Sequence, residues 1–293
     1  MTMPQNRQLI KEVVELLQAH RALYKQERIF MRVVGLVFGE IMTFTAHQVT
    51  QVLVAMGLGS EPWSAWYRLF SRERFNADAV ARQLFRETLW HVEEDELYVV
   101  GGDGTQIARD SKQMEGTSWL KCPRNPPFKR GIHRAQRFFH GAWLMPPEEG
   151  YSRALPLRMM PAFNPKAIRQ HHDARKEWEA GNEYLQWIRD GLDAEGRAEQ
   201  EVLGLFDGSY DTLDWWKKLP TGVVSLVRTA KNRDLREVYV GPNKQRKYGD
   251  KTLSPGEWLR KRGGWSTTHL DGAAATAAHG LSRRRTVSAL WGG

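Results

Sequence analysis

The segment Leu97-Tyr98-Val99-Val100-Gly101-Gly102-Asp103 is a short apolar run that ends in an aspartate. A second run of the same kind, Val202-Leu203-Gly204-Leu205-Phe206-Asp207, follows much farther along the chain. Runs of this length and composition predict buried β-strands. A carboxylate at the mouth of a buried strand is costly unless its charge is used, so two such aspartates that converge would form a site for a divalent metal ion.

The elements predicted after residue 95 follow the order strand, strand, strand, helix, strand, helix, strand. They are predicted at 96–102, 137–145, 151–160, about 165–198, 202–207, 213–216 and 223–228. This order resembles the ribonuclease-H-like topology, an α/β fold with a mixed sheet and flanking helices. In that topology the first and fourth strands lie side by side, so Asp103 and Asp207 become neighbours. Each aspartate also precedes a glycine, and Asp-Gly is a common hairpin dipeptide, so a turn is the alternative for either one alone.

The region before the first strand is predicted to be helical throughout. Apolar residues recur at helical spacing over 45–56, and Gly57-Leu58-Gly59-Ser60 then supplies a turn and an N-cap for the next helix. Two short helices joined by a glycine turn resemble a helix-turn-helix over 45–72. The cations available there for phosphate contact are Arg68, Arg72 and Arg74. A plain helical hairpin that packs on the next domain explains the pattern equally well.

The charge of the chain favours a polyanionic partner. The formal net charge is +9, and nucleic acid is the usual partner of such a protein. The segment 118–137 mixes cations with aromatic residues and prolines, which suits a loop that follows a DNA backbone, although a charged surface loop is the alternative. The cations predicted to contact DNA are Lys121, Arg124, Lys129, Arg130, Arg134 and Arg137, with Arg228, Lys231 and Arg233 after the last strand.

Several protein classes are disfavoured by composition. The single cysteine, Cys122, allows no internal disulfide and no thiolate metal cluster. Apolar stretches are too short for a membrane span, and charges at Lys11, Glu12 and Glu15 interrupt any secretory h-region. A cytoplasmic protein without a membrane partner is therefore predicted.

Five segments together resemble bacterial insertion-sequence transposases of the Asp-Asp-Glu (DDE) superfamily, over about residues 30 to 265. They are Leu97 to Lys112, Gly116 to Leu120, Gly131 to Arg137, Asp207 to Asp211 and Val227 to Arg233. The resemblance implies cut-and-paste DNA transposition by two-metal phosphoryl transfer with Mg²⁺ or Mn²⁺. Asp103 and Asp207 match the first two acids of the family, which implies that both are catalytic and bind metal.

The resemblance also implies partners and domains. The expected partner is double-stranded DNA, both terminal inverted repeats and target DNA, with a homodimer on DNA as one arrangement and the bacterial nucleoid as the location. The expected regions are a helical DNA-binding region at 1–92, a catalytic domain at 93–240 and a basic, partly irregular tail at 241–293 that begins a truncated insertion domain.

The third acid of the family has no clear counterpart. Such enzymes carry a glutamate on a helix after the fifth strand, and Glu257 is one of the few acids that remain here. Glu257 fits a capping box with Ser254, which is a structural role. We therefore hypothesise an incomplete copy that lacks the third acid. The alternatives are an inactive DNA-binding protein that binds element ends or represses the intact enzyme, and another ribonuclease-H-like nuclease completed by Glu257.

Overall fold

A computed structural model describes most of the chain, and the chain divides into two compact units, Met1–Glu87 and Thr88–Gly293. The described residues are 5–44, 47–71, 73–122, 131–147, 152–168, 173–238, 242, 248–260, 266–270 and 273–277.

The first unit is helical, as predicted. Its helices within the described residues are α1 (Gln5–Ala19), α2 (Glu27–Met42), α3 (Val49–Ala55), α4 (Ser64–Ser71) and α5 (Ala77–Thr88). A cluster of buried residues contains Ile29 and Phe30 of α2 together with Leu69 of α4. Helix α2 also approaches α3 closely at Gly39, where a Cβ would come within 2.5 Å of Val52 Cγ1. The two short helices predicted on either side of the glycine turn are present, and their role as a helix-turn-helix stays a prediction.

The second unit is built on one mixed sheet, which has six strands within the described residues. The strands are β1 (Tyr98–Ala108), β2 (Thr117–Lys121), β3 (Ile132–Leu144), β4 (Ala154–Pro161), β5 (Val202–Phe206) and β6 (Val223–Val227). The order across the sheet is β2-β3-β1-β5-β6, and β4 pairs with the same edge of β3 as β2 does. β1 pairs antiparallel with β3 and parallel with β5, and β5 pairs parallel with β6. The predicted ribonuclease-H-like mixed sheet is confirmed.

Two helices of this unit, α6 (Glu177–Ala194) and α7 (Leu213–Lys217), follow β4 and β5. Helix α6 packs on β3. Gly141 of β3 lies directly under the ring of Tyr184, and a Cβ added at Gly141 would come within 2.6 Å of that ring. Phe139 of β3 also contacts that ring, with centroids 5.5 Å apart. Burial of large side chains such as these contributes roughly 1.5 to 3 kcal/mol each. Part of the core of the second unit therefore lies between α6 and β3, the strand that pairs with β1.

The chain after β6 forms smaller elements. They are β7 (Arg236–Val238), β8 (Tyr248–Lys251), α8 (Pro255–Arg260), β9 (Ser266–Leu270) and β10 (Ala273–Ala277). β7 pairs with β8, and β9 pairs with β10, both antiparallel. The described part of the segment after residue 265 is a two-stranded ladder, and the partly irregular character expected for the tail at 241–293 stays a prediction.

The first strand is longer than the sequence predicts. β1 does not end at Asp103 but continues to Ala108, because β3 is long enough to extend the antiparallel ladder beyond the end of β5. Asp103 pairs with His140 and Gly104 pairs with Phe139. The hairpin-turn alternative for Asp103 is therefore wrong.

Two other predicted boundaries are wrong. The helix expected from Pro165 begins at Glu177, because Asn164 caps only a short 3-10 turn, in which the Lys166 N–H donates to Asn164 Oδ1 at 3.0 Å. The loop expected over 118–137 contains β2 and the start of β3. Of its predicted DNA-contacting cations, Lys121, Arg134 and Arg137 belong to paired strands.

Candidate active site

The two predicted aspartates lie next to each other at one end of the parallel strands. Gly102 and Phe206 form the last pair between β1 and β5, and Asp103 and Asp207 are the next residues of the two strands. Adjacent strands lie about 4.8 Å apart. Both aspartate side chains are exposed to solvent. The predicted adjacency of the two strands is thus confirmed, while the catalytic role of the two residues stays a prediction.

Backbone and hydroxyl groups orient one oxygen of each aspartate. Asp103 Oδ1 accepts a hydrogen bond from the Gly104 N–H at 2.7 Å. Asp207 Oδ1 accepts from the Ser209 N–H at 2.8 Å and from Ser209 Oγ at 2.6 Å, because Asp207 caps the 3-10 turn Gly208–Tyr210. The second oxygen of each carboxylate accepts no hydrogen bond from the described residues. Each aspartate therefore offers an oriented carboxylate with one oxygen open to a ligand.

A third carboxylate stands beside the two aspartates. Glu177 is the first residue of α6, and its side chain is only 18% exposed. A Cβ on Gly104 would overlap the Glu177 carboxylate, so that carboxylate lies directly over the backbone next to Asp103. Ser209 Oγ, which donates to Asp207, is also 3.4 Å from Glu177 Oε1. Glu177 therefore lies close to both aspartates. The Ser209 hydroxyl stands between Glu177 and Asp207, and Gly104, which follows Asp103, lies against the Glu177 carboxylate.

Glu177 is partly buried and lies near two other negatively charged carboxylates. Burial raises the pKa of the Glu177 carboxyl, and the negative charges of Asp103 and Asp207 add to the rise. The Arg137 guanidinium, whose Nη1 is 3.6 Å from Glu177 Oε2, and the Tyr210 hydroxyl act in the opposite direction. Like charges gathered in this way disfavour ionisation, and a cation among them would relieve the repulsion.

Tyr210 forms the floor under the carboxylates. It is 1% exposed, and its ring centroid lies 5.0 Å from that of Phe206 and 5.2 Å from that of Trp215. Burial, followed by the charge of Glu177, raises its pKa, so the hydroxyl remains protonated. This buried hydroxyl makes no hydrogen bond of good geometry with the described residues. The site is thus polar at its base and closed to water on that side.

Two of the predicted DNA-contacting cations lie near this site. Arg137 of β3 forms the ion pair with Glu177 described above. Arg228 directly follows β6, and its N–H donates to the Phe206 carbonyl at 3.1 Å, so it stands beside Asp207 across the sheet. The Arg228 side chain is exposed. The backbone of Arg228 therefore lies next to Asp207, and contact of its side chain with DNA stays a prediction.

The remaining predicted cations have varied surroundings. Arg134 donates to Thr117 Oγ1 at 2.8 Å, and Arg233 forms an ion pair with Asp211 at 3.3 Å, so both arginines contribute to local structure. Lys121 and Lys231 are exposed, and Arg68 and Arg74 belong to the first unit. The predicted contacts at Arg72, Arg124, Lys129 and Arg130 lie outside the described residues.

Glu257 occupies the predicted capping box. Its Oε2 accepts hydrogen bonds from Ser254 Oγ and from the Ser254 N–H, both at 2.7 Å, and its own N–H donates to Ser254 Oγ at 3.4 Å. These contacts explain the residue structurally, and a role for Glu257 as the third acid stays a prediction.

Sequence reasoning did not find Glu177. The family pattern puts the third acid after Asp207, and the predicted helix over about 165–198 places Glu177 in its interior rather than at its start. The available signal was the glycine at 104, because a strand residue without a side chain next to a functional carboxylate indicates close approach by another group.

The donor chemistry fits a divalent cation. Among the described residues, no three His, Cys, Asp or Glu side chains are already arranged as a metal-binding cluster. Mg²⁺, however, prefers hard oxygen ligands and keeps several of its waters, so it needs only one or two protein carboxylates. The open oxygens of Asp103 and Asp207 meet that requirement.

Comparison with known proteins assigns the chain to a family. A family model described as DDE superfamily endonuclease matches residues 26–289. The match covers most of the chain, and the chain therefore belongs to the DDE superfamily endonucleases. It extends beyond the predicted range of 30 to 265, and it supports a nuclease or transposase that acts on DNA and generally uses divalent metal ions. No curated protein and no solved structure gives a significant match.

One further finding concerns membranes. Within the part of the chain that the structure describes, no helix combines the length and the apolar character needed to cross a bilayer.

Proposed function

We propose that this chain is a DDE-type transposase that cuts and joins DNA by metal-dependent phosphoryl transfer, with Asp103 and Asp207 as metal ligands. The observation that carries the proposal is the register of β1 and β5, which brings two carboxylates from distant segments side by side in a chain of this family. The proposal is tested by cleavage of duplex DNA by the purified chain, which should require both Mg²⁺ and Asp103.

Each group at the site has a separate role in the proposed phosphoryl transfer. Two divalent cations, Mg²⁺ or Mn²⁺, would supply positive charge at the phosphoryl group under attack. Asp103 and Asp207 hold the cations with their open oxygens. Arg228 binds a neighbouring phosphate of the DNA backbone, which orients the scissile bond. The nearby hydroxyl of Tyr210 opposes the rise in the pKa of Glu177 and so favours the charged carboxylate.

We infer that Glu177 supplies the third carboxylate. The hypothesis of a missing third acid considered only residues after Asp207, and Glu177 precedes that residue. The close approach to Gly104, the shared Ser209 hydroxyl and the crowding of negative charge all support a metal-binding role for Glu177. A chain without turnover that only binds or represses element ends remains the alternative, and metal-dependent activity would exclude it.

Substitution of Gly104 tests the position of Glu177 without changing a charged residue. A Cβ at 104 would overlap a flexible carboxylate rather than backbone, so Gly104→Ala should displace that carboxylate and leave the strand folded. We expect Mn²⁺ affinity, measured by calorimetry, to fall about tenfold. Gly101→Ala is the matched control, because its Cβ would meet its nearest neighbour, Leu144, at an ordinary 3.4 Å. Equal Mn²⁺ affinities in the two variants would contradict the inference.

Substitution of Glu177 separates metal binding from stability. Glu177→Gln should weaken Mn²⁺ binding by about 10- to 100-fold. The same variant should unfold at the same temperature as the parent chain or a higher one in chelator, because it removes a half-buried charge from the vicinity of two others. Glu183→Gln changes an exposed acid of the same helix, paired with Arg175 at 3.0 Å, and should leave Mn²⁺ affinity unchanged. Unaltered Mn²⁺ affinity in Glu177→Gln would show that Glu177 is not a ligand.

A further inference from the structure

A cavity of about 180 Å³ opens in the first unit between α2 and α4. Of the described residues that line it, four are arginines and none is acidic. The arginines are Arg28 and Arg32 of α2, Arg68 of α4, and Arg74, which follows α4. Ile29 and Leu69 belong to the buried cluster of this unit and form the apolar part of the lining.

The four guanidinium groups converge because of helix geometry. Arg28 and Arg32 are four residues apart, so they lie on the same face of α2. Ile29 of α2 and Leu69 of α4 belong to one buried cluster, and both line the cavity together with Arg68. Like charges gathered in this way repel one another, so the cavity is electrostatically unfavourable unless an anion occupies it.

The hydrogen bonds of the arginines leave this charge uncompensated. Arg28 Nε donates to Gln26 Oε1 at 2.8 Å, and Arg68 Nε donates to the Ser64 carbonyl at 3.1 Å, which are neutral acceptors. Arg32 and Arg74 are half-buried, and neither makes a hydrogen bond or an ion pair with the described residues. Two planar guanidinium groups are therefore available to an incoming ligand.

The chemistry of the lining selects the ligand class. Guanidinium groups bind phosphate through paired N–H donors, and partial exclusion of water strengthens each charged contact. We propose that this cavity binds a backbone phosphate of nucleic acid, held by Arg32 and Arg74 and flanked by Arg28 and Arg68. The choice of a nucleic-acid phosphate rests on the proposed function and on the net charge of +9; the phosphate site itself rests on the cavity alone. Sequence patterns pointed to Arg68 and Arg74 but not to the contribution of α2.

The test measures binding of the full-length chain to a fluorescent DNA duplex in chelator, so that no metal-dependent chemistry enters. The double variant Arg32→Ala/Arg74→Ala should raise Kd by roughly 10- to 100-fold. The plot of log K against log salt concentration should become less steep by about 0.9 for each phosphate contact that is lost. The matched control Lys11→Ala/Lys25→Ala removes two exposed cations of the same unit and should stay close to the parent chain.

Further arms make the outcome decisive. Arg32→Lys/Arg74→Lys should restore the salt slope more fully than the affinity, because lysine keeps the charge but not the paired donors. Equal duplex affinities of Arg32→Ala/Arg74→Ala and of the control Lys11→Ala/Lys25→Ala, with both variants folded by circular dichroism, would overturn the proposal. Binding of inorganic pyrophosphate to the cavity while the chain is saturated with duplex would overturn the nucleic-acid assignment. Duplex binding in chelator is measured apart from metal-dependent cleavage, so a parent chain that binds duplex through these arginines but does not cleave it would contradict the proposed function and leave this proposal standing.

Discussion

Replacement of Asp103 with asparagine is expected to lower the rate of Mg²⁺-dependent DNA cleavage by about 10³-fold or more, because charge stabilisation by a bound metal ion is worth several kcal/mol. Asparagine has the same shape, and its carbonyl oxygen can still accept the hydrogen bond that the Gly104 N–H donates to Asp103. The substitution therefore removes negative charge and little else. Single-turnover cleavage of duplex DNA in Mg²⁺ and in Mn²⁺ measures the effect.

The control and the contrary outcomes are well defined. Asp190→Asn changes an exposed acid of α6 that accepts a hydrogen bond from Gln186, and it should leave the rate unchanged. Full activity of Asp103→Asn would show that the chemistry occurs elsewhere. A parent chain that binds duplex DNA but shows no cleavage in either metal would favour the inactive DNA-binding protein over the transposase.

Replacement of Trp215 with alanine is expected to lower the free energy of unfolding of the second unit by about 3 to 5 kcal/mol. The side chain is 0% exposed, its ring lies 4.5 Å from that of Phe206, and its Nε1 donates to Ser225 Oγ at 3.3 Å. Its removal leaves a cavity beside β5 and an unpaired hydroxyl. Urea unfolding followed by circular dichroism measures the loss.

The Trp215 substitution also has a functional component. The ring supports Phe206 and Tyr210, which border Asp207 on either side in the chain. Trp215→Phe should retain most of the packing and most of the Mn²⁺ affinity, whereas Trp215→Ala should lose part of both. Trp90→Ala is the control, because Trp90 is 85% exposed and should contribute little. Equal stability of Trp215→Ala and Trp90→Ala would contradict the packing described here.

The topology of the second unit was predictable because strong local signals agreed with each other. Apolar runs, a turn-rich hairpin and an alternating order of elements have only a few compatible arrangements. The adjacency of Asp103 and Asp207 followed from that order. These features depend on local sequence pattern, which a single chain displays directly.

The remaining features depend on tertiary contacts that no local pattern encodes. The start of α6 at Glu177 and the continuation of β1 past Asp103 are set by what packs or pairs with them. Glu177 was missed because its role follows from a close approach to Gly104, which is distant in sequence. The contribution of Arg32 was missed because the cavity exists only where α2 meets α4.

The pairing of β1 with β5 also affects how the protein folds. Tyr98 pairs with Val202, so this contact joins parts of the chain that are far apart in sequence, and such contacts form late because loop closure costs entropy before any contact is gained. We therefore expect the three carboxylates to meet late in folding, where their mutual repulsion would oppose the final step. A divalent cation present during refolding would accelerate it, so the ion would act on the folding rate before it acts on DNA.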